Sequence, residues 1–310
     1  MAMEFIRGLY NLRPAQRGCV ATIGNFDGMH RGHQAVLEQL REQAGRLQLP
    51  ATLITFEPLP REFFTPQEAP PRLTRLREKV QALQRYGIER VVCLRFDRRL
   101  AGLAPEVFIR EILVDGMGVR YLVVGDDFRF GKHRAGTFAT LHDAGVQYGF
   151  EVASMRTFRV GDDRVSSTRV REALAHGDLL TASLLLGRPY AMSGRVAHGD
   201  KRGRTIGFPT ANIFLHRASS PVAGVFAVEV EGIADTPVQG VANVGSRPTV
   251  DGTRSLLEVH LFDFAADIYG KYVQVGFLKK LREERRFASF DALREQILVD
   301  AGQARAFFQD

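Results

Sequence analysis

Two histidines three residues apart, in the stretch Gly24-Asn25-Phe26-Asp27-Gly28-Met29-His30-Arg31-Gly32-His33, have the spacing to handle a phosphate. Imidazoles so spaced at a helix start share one face and can grip one phosphoryl group together. The free N–H groups of a first helical turn attract anions. Glycines let the backbone turn sharply and come close to a ligand. The plainer alternative is a tight turn with two exposed histidines. An apolar run from Cys19 to Ile23 leads into the stretch and an amphipathic one from Gln34 to Leu47 leads out. That pattern predicts a buried strand, a turn and a helix.

Four further groups could do chemistry. Gly125-Asp126-Asp127-Phe128-Arg129-Phe130-Gly131 sets carboxylates, an arginine and aromatics beside a strand end, or is a solvated turn. Arg164-Val165-Ser166-Ser167-Thr168-Arg169-Val170-Arg171 places three hydroxyls before a helical run. Capping alone could explain the hydroxyls, but three arginines beside them make a second phosphate clamp. Thr210 and Asn212 follow the basic glycine loop that contains Gly203 and Arg204. On an extended segment they project to one side, and two neutral oxygens suit Mg²⁺ shared with substrate phosphates. Local hydrogen bonding within a loop is the plainer reading of that pair. Glu258, in Leu256-Leu257-Glu258-Val259-His260-Leu261, alternates away from the leucines. It is either an ordinary outer-face glutamate or a base able to take a proton from an attacking hydroxyl.

The elements that must position these residues fall into two kinds. In the first half, apolar runs (Cys19 to Ile23, Ala51 to Phe56, Arg90 to Phe96, Arg120 to Val124, Phe150 to Met155) alternate with helical ones. The helical runs after the first are Leu73 to Tyr86, Pro105 to Val114 and Phe138 to Tyr148. This is the signature of a Rossmann-like α/β domain with a parallel sheet covered on both faces. Ligands sit at the carboxyl ends of such strands, where the histidine stretch and the Gly125 loop both fall. At Gly187-Arg188-Pro189 helical periodicity stops. Short β-rich runs follow (Tyr190 to Ala197, Val225 to Val230, Gly240 to Val244, Ser255 to Phe262, Lys271 to Phe277), then one closing helix, Phe290 to Phe308. They predict an antiparallel β-barrel or sandwich. The expected domains are therefore residues 1–186 and 187–310.

Composition is that of a globular protein, 45% hydrophobic and 25% charged over 310 residues. No apolar run reaches the ~18 residues of a membrane span. The first residues lack the apolar core of a signal peptide, and Cys19 and Cys93 both lie in apolar runs. Cytoplasm is the expectation. The net charge of +7 suits polyanions. It is dispersed rather than gathered in a stripe, which favours phosphorylated metabolites over nucleic acid.

The histidine stretch resembles the first motif of the His-x-Gly-His nucleotidyltransferases, in the form found in bacterial bifunctional riboflavin kinase/FMN adenylyltransferases. Arg164 to Arg171 resembles the family's Ser-Ser-Thr-x-x-Arg motif, and the Gly125 loop one that lies over nucleotide and flavin. Many relatives carry Asn where Asp127 stands. Gly207-Phe208-Pro209-Thr210-Ala211-Asn212, Asn243 to Thr249, the Glu258 strand and Tyr269-Gly270-Lys271 resemble the riboflavin kinase domain. There Phe226 replaces a usual tyrosine.

The resemblance implies two ATP-dependent steps, riboflavin to FMN and FMN to FAD with release of pyrophosphate. It implies that His30 and His33, with Gly24, Asn25, Phe26, Gly28, Gly32, Arg164, Ser167, Thr168 and Arg171, serve adenylyl transfer. Asp127 and Phe128 would face flavin and nucleotide. Thr210 and Asn212 would hold Mg²⁺-ATP, assisted by Gly203 and Arg204, and Glu258 would act as base. Partners are then small molecules, without nucleic acid or membrane; a homo-oligomer is open. Two rivals are a single-activity nucleotidyltransferase with the barrel as a binding module, and a basic RNA-binding protein.

Overall fold

The computed structural model describes residues 3–155, 158–161, 163–198, 208–217, 219–249 and 252–309, with backbone only at 246–249 and 252–255. Its first elements are β1 (Glu4–Arg7), β2 (Cys19–Ile23), α1 (Arg31–Leu47), β3 (Ala51–Glu57), α2 (Pro60–Phe64), α3 (Leu76–Arg85), β4 (Arg90–Arg95), α4 (Arg98–Ala101) and α5 (Pro105–Phe108). The chain then winds through a π-helical segment, Ile109–Val114, into β5 (Val119–Gly125), α6 (Phe138–Tyr148), β6 (Glu151–Met155) and a small hairpin of β7 (Arg159–Val160) and β8 (Asp163–Arg164). Helices α7 (Ser167–Ala175) and α8 (Leu179–Leu186) follow. Strands β9 (Tyr190–Ala197), β10 (Ala211–Phe214), β11 (Gly224–Glu231), β12 (Val238–Thr249), β13 (Gly252–Leu261) and β14 (Tyr272–Arg282) lead to α9 (Phe290–Phe307).

Contacts divide the chain into two compact units. The first comprises Met1–Pro70 and Leu76–Val165, the second Pro71–Arg75 and Ser166–Asp310.

The first unit is the expected parallel sheet, in the order β1-β4-β3-β2-β5-β6. Every residue of β2 is buried. Its side chains alternate between two cores: Cys19, Ala21 and Ile23 join Leu122 and Val124 on one face, and Val20 joins Tyr121 and Val123 on the other. Each valine, leucine or isoleucine among them contributes roughly 1.5–3 kcal/mol by burial, so β2 and β5 form the fixed centre of the sheet. Burial also pushes the Cys19 thiol up to about 11, as expected of an inert core cysteine. The edge strand β1 is an addition to the sequence reading; its short run carries too little pattern to declare itself.

The second unit holds a closed antiparallel barrel, β10-β13-β12-β11-β14-β9. Phe226 and Phe277 fill it edge to face, with ring centroids 5.2 Å apart. Helix α9, capped by Ser289 Oγ accepting from the Ala292 N–H at 3.2 Å, presses Ala301 and Ala304 onto Val225, Ala227 and Val241 outside the barrel. Buried Asp300 on α9 accepts from Arg282 Nε at 2.9 Å and Nη2 at 2.7 Å, which fixes the helix by a bidentate pair.

Helix α8 ends at Gly187, whose φ of 73° lies in the left-handed region, where the helical pattern stops in the sequence. The contacts nonetheless group α7 and α8 with the barrel. Grouped with them is the short stretch 71–75: Tyr190 donates its hydroxyl to the Leu73 carbonyl at 3.1 Å, and Arg217 Nη1 donates to the Arg72 and Leu73 carbonyls. Arg75 in turn donates to the Leu215 carbonyl at 3.0 Å. These bonds account for α3 starting at Leu76 rather than at the expected Leu73.

Candidate active sites

Strands β2 and β5 are neighbours, with Thr22 opposite Val123. From β2 the sheet runs through β3 and β4 on one side and through β5 and β6 on the other. Strand order thus reverses between β2 and β5, the position at whose carboxyl ends open α/β sheets bind their ligands. The two loops leaving those ends are the histidine stretch and the Gly125 loop.

The histidine turn is tightly wound. Phe26 and Met29 hold φ of 45° and 51°, unusual for non-glycine residues, and Gly28 holds 88°. Such positions cost on the order of 1–3 kcal/mol each; burial of Phe26 and Met29 holds them in place. His30 is the N-cap of α1, and its Nδ1 accepts from the His33 N–H at 3.2 Å. In the neutral ring that puts the proton on Nε2. The rings of His30 and His33 stack at 3.6 Å, and Phe26 lies 4.6 Å from His33. A Cβ on Gly32 would come within 3.2 Å of the His30 ring, so the bare glycine makes room for the stack. Asn25 is exposed and Gly24 half-buried at the mouth of the turn.

His33 is held neutral. Burial, then the neighbouring His30 and Lys79, push its pKa well below the ordinary 6.5. Its Nδ1 is enclosed without a hydrogen-bond partner, an unsatisfied polar atom inside the site. Lys79 was not legible as a site residue: it occupies one turn of an amphipathic helix, yet it is only 1% exposed.

In the Gly125 loop, Asp127 pairs with Arg164 of β8. The structure thereby joins two residues that sequence analysis had placed in separate groups. Phe128 stacks on Phe130 with centroids 5.6 Å apart and is half-buried against the core. The expected helix-start cluster forms. Ser166 is the cap, its Oγ accepting from the Arg169 N–H at 3.3 Å, which frees Ser167 and Thr168 from that duty as first helical residues of α7. Arg171 donates Nε to the Pro71 carbonyl at 2.7 Å.

On the barrel, Asn212 stands opposite Glu258, and Glu258 opposite Asn243 on its other side. Residues directly opposite on antiparallel strands share a face with Cβ atoms ~5 Å apart. The row Asn212–Glu258–Asn243 is therefore one polar strip across β10, β13 and β12. Asn243 escaped sequence analysis as a site residue because only the register brings it beside Glu258. Thr210 precedes β10, and Asn212 Nδ2 donates to the Thr210 carbonyl at 3.4 Å, leaving the amide oxygen for another partner. His260 Nδ1 lies 2.9 Å from the Pro209 carbonyl and steadies the segment before Thr210. A cleft of about 410 Å³ adjoins Thr210, lined by Val196, Val259, Leu261, Ile268 and Tyr269. Gly203 and Arg204 lie outside the described residues.

A Thr hydroxyl, an Asn oxygen and a carboxylate across the strand fit a hard cation that takes its remaining ligands from phosphate and water. Among the described residues no group of three His, Cys, Asp or Glu side chains could hold a metal alone. No helix among them is long and apolar enough to cross a membrane.

The family model for FAD synthetase matches residues 12–169, and that for riboflavin kinase residues 186–308. The bifunctional riboflavin kinase/FMN adenylyltransferase of Escherichia coli (strain K12) is 55% identical over 307 residues, covering 99% of this chain and 98% of that protein. That of Haemophilus influenzae is 50% identical over 306 residues, covering 99% of each chain. A solved structure described as a macrolide-efflux protein from Streptococcus pneumoniae is 32% identical and covers 97% of each chain, with a TM-score of 0.81. With matches running the whole length and spanning both units, the chain belongs to the bifunctional riboflavin kinase/FMN adenylyltransferase family.

Proposed function

We propose that the chain carries one reaction centre in each half and makes FAD from riboflavin in two steps. In the first, the terminal ribityl hydroxyl of riboflavin attacks the γ-phosphorus of ATP on the barrel, giving FMN and ADP. Glu258 accepts the hydroxyl proton as the new O–P bond forms. Thr210 and Asn212 hold Mg²⁺, which when bound neutralises charge on the phosphates. The 410 Å³ cleft beside Thr210, apolar along Val196, Val259 and Leu261, suits the base and sugar of that ATP.

In the second step a phosphate oxygen of FMN attacks the α-phosphorus of another ATP, and pyrophosphate leaves. His30 and His33 donate hydrogen bonds to phosphate oxygens whose charge grows in the transition state. Arg164, Ser167, Thr168 and Arg171 bind the triphosphate, and Asp127 and Phe128 border the flavin. No covalent intermediate is required; orientation and charge stabilisation are sufficient.

The observation that carries this reading is the stacked His30–His33 pair at the reversal point of the sheet, together with a separate polar row centred on Glu258 on the barrel. The kinase domain is taken to begin near Gly187. The test is chromatography of the products after mixing the protein with riboflavin and Mg-ATP, then with FMN and Mg-ATP. FMN and FAD should form in the first mixture and FAD in the second. FMN without FAD, or no conversion of riboflavin, would overturn one centre or the other.

A further inference from the structure

Helix α7 carries Ser167, Thr168 and Arg171 of the proposed triphosphate clamp, yet it belongs to the unit that holds the barrel. The stretch 71–75 belongs to that unit as well, although the residues on either side of it lie in the first. Three successive carbonyls of this stretch accept bonds from side chains. Pro71 accepts from Arg171 Nε at 2.7 Å. Arg72 and Leu73 both accept from Arg217 Nη1, and Leu73 also accepts from the Tyr190 hydroxyl at 3.1 Å. At the far end Arg75 donates to the Leu215 and Ser193 carbonyls. Tyr190 and Arg217 are buried, and Leu73 is wholly so. The Tyr190 ring stacks on Phe277 at 6.0 Å, which ties the stretch to a side chain that fills the barrel. Proline at 70 and 71 fixes φ at both positions and stiffens the approach.

We propose that Tyr190 and Arg217, which lie in the barrel half of the sequence, are positioning residues of adenylyl transfer: they hold the stretch 71–75 so that the Pro71 carbonyl fixes the Arg171 guanidinium. The proposal rests on the reading of Arg171 as a ligand of the triphosphate. A long arginine side chain loses much rotamer entropy when a ligand freezes it. A bond at Nε fixes the plane of the guanidinium, and with it the direction of its terminal nitrogens. The ordering is then done in folding and not again at each binding event. The Pro71 carbonyl can serve in this way only if its own peptide is fixed. Pro71 turns about ψ alone, and the next two carbonyls are pinned by Arg217 and Tyr190. Phosphorylation of riboflavin is assigned to a different set of residues, Thr210, Asn212 and Glu258. The barrel half thus takes a part in the reaction of the other half.

The full-length protein tests this with Arg217→Met, Arg217→Lys and Tyr190→Phe, each with and without Arg171→Ala. FAD formation from FMN and Mg-ATP and phosphorylation of riboflavin are both measured. In Arg217→Met, kcat/KM for ATP in FAD formation should fall about tenfold, while phosphorylation of riboflavin stays within about a factor of two. Damage to the barrel alone would act the other way and lower phosphorylation first. Arg217→Lys, which keeps a donor, should recover part of the loss, and Tyr190→Phe, which removes one bond to Leu73, should cost about threefold. On the Arg171→Ala background Arg217→Met should cost nothing further, because the residue it positions is gone. Undiminished FAD formation, an equal loss of both reactions, or a loss that simply adds to that of Arg171→Ala would overturn the proposal. If Arg217→Met does not fold, Tyr190→Phe decides by the same readings. Undiminished FAD formation in Arg171→Ala alone would instead sink the reading of Arg171 as a ligand of the triphosphate.

Discussion

The two proposed centres would handle nucleophiles that need opposite treatment. A phosphate oxygen of FMN is already an anion, so the first centre has no proton to remove and must gather charge. It offers imidazoles held at a helix start, one of them neutral by burial. The ribityl hydroxyl is a poor nucleophile until it loses its proton, so the second centre needs a base. The base proposed there is Glu258, flanked on both neighbouring strands by asparagines that donate and accept without competing for the proton. Two transfers of phosphorus from ATP thus call for different side chains, because the attacking group differs and not because the leaving group does.

This contrast can be broken at its base. Glu258→Gln keeps size and polarity but removes basicity, so phosphorylation of riboflavin should fall roughly 10²- to 10⁴-fold while FAD formation from supplied FMN holds. A Gln variant with full kinase rate would return Glu258 to an ordinary outer-face position. The converse change is next in size. His30→Ala or His33→Ala should lower FAD formation about 10²-fold or more and leave phosphorylation of riboflavin nearly intact. Equal losses in both assays would mean that the two chemistries share one centre.

A subtler change sharpens the geometric side of the comparison. Gly32→Ala adds one carbon 3.2 Å from the His30 ring, so the stack must shift by a few tenths of an ångström. FAD formation should drop about tenfold with kinase activity unaltered; an unchanged rate would show that ring placement is not critical. The smallest effect is on stability. Folding holds the His33 pKa well below 6.5, so below that pH the unfolded chain binds a proton that the folded one refuses. The first unit should therefore lose stability as pH falls from about 6.5, and His33→Phe should lessen that loss. Denaturant midpoints measured between neutral and mildly acid pH would expose a mistake if the variant's slope matched the parent's.

The legibility of these features followed their sequence range. The histidine turn could be read because strand, glycines and both imidazoles lie within a few consecutive residues, and the helix cap that aligns them is local chemistry. The alternation of strands and helices gave the parallel sheet for the same reason. Glu258 could be seen as a candidate, but its row with Asn212 and Asn243 depends on the pairing of three strands, which no local pattern encodes. Lys79 reads as one more polar residue of an amphipathic helix until the sheet places its end against Thr55. Arg164 and Asp127 are separated by 37 residues, and only the loop geometry makes them a pair. The left-handed backbone at Phe26 and Met29 was hidden because propensity points to glycine there, and burial overrode it.

The carbonyl of Leu73 meets the hydroxyl of Tyr190 across 117 residues of chain. During synthesis the stretch 71–75 emerges long before β9, and at typical rates of translation its acceptors wait roughly 6 to 23 s for that partner. Over that interval the Arg72 and Leu73 carbonyls are satisfied by water, and the segment between α2 and α3 is an open loop. The parallel sheet can meanwhile assemble around β2, β3 and β4 without it. Once Tyr190 and Arg217 arrive, five residues made long before join the second unit, so its completion draws on chain that the ribosome released early and waits on chain released late.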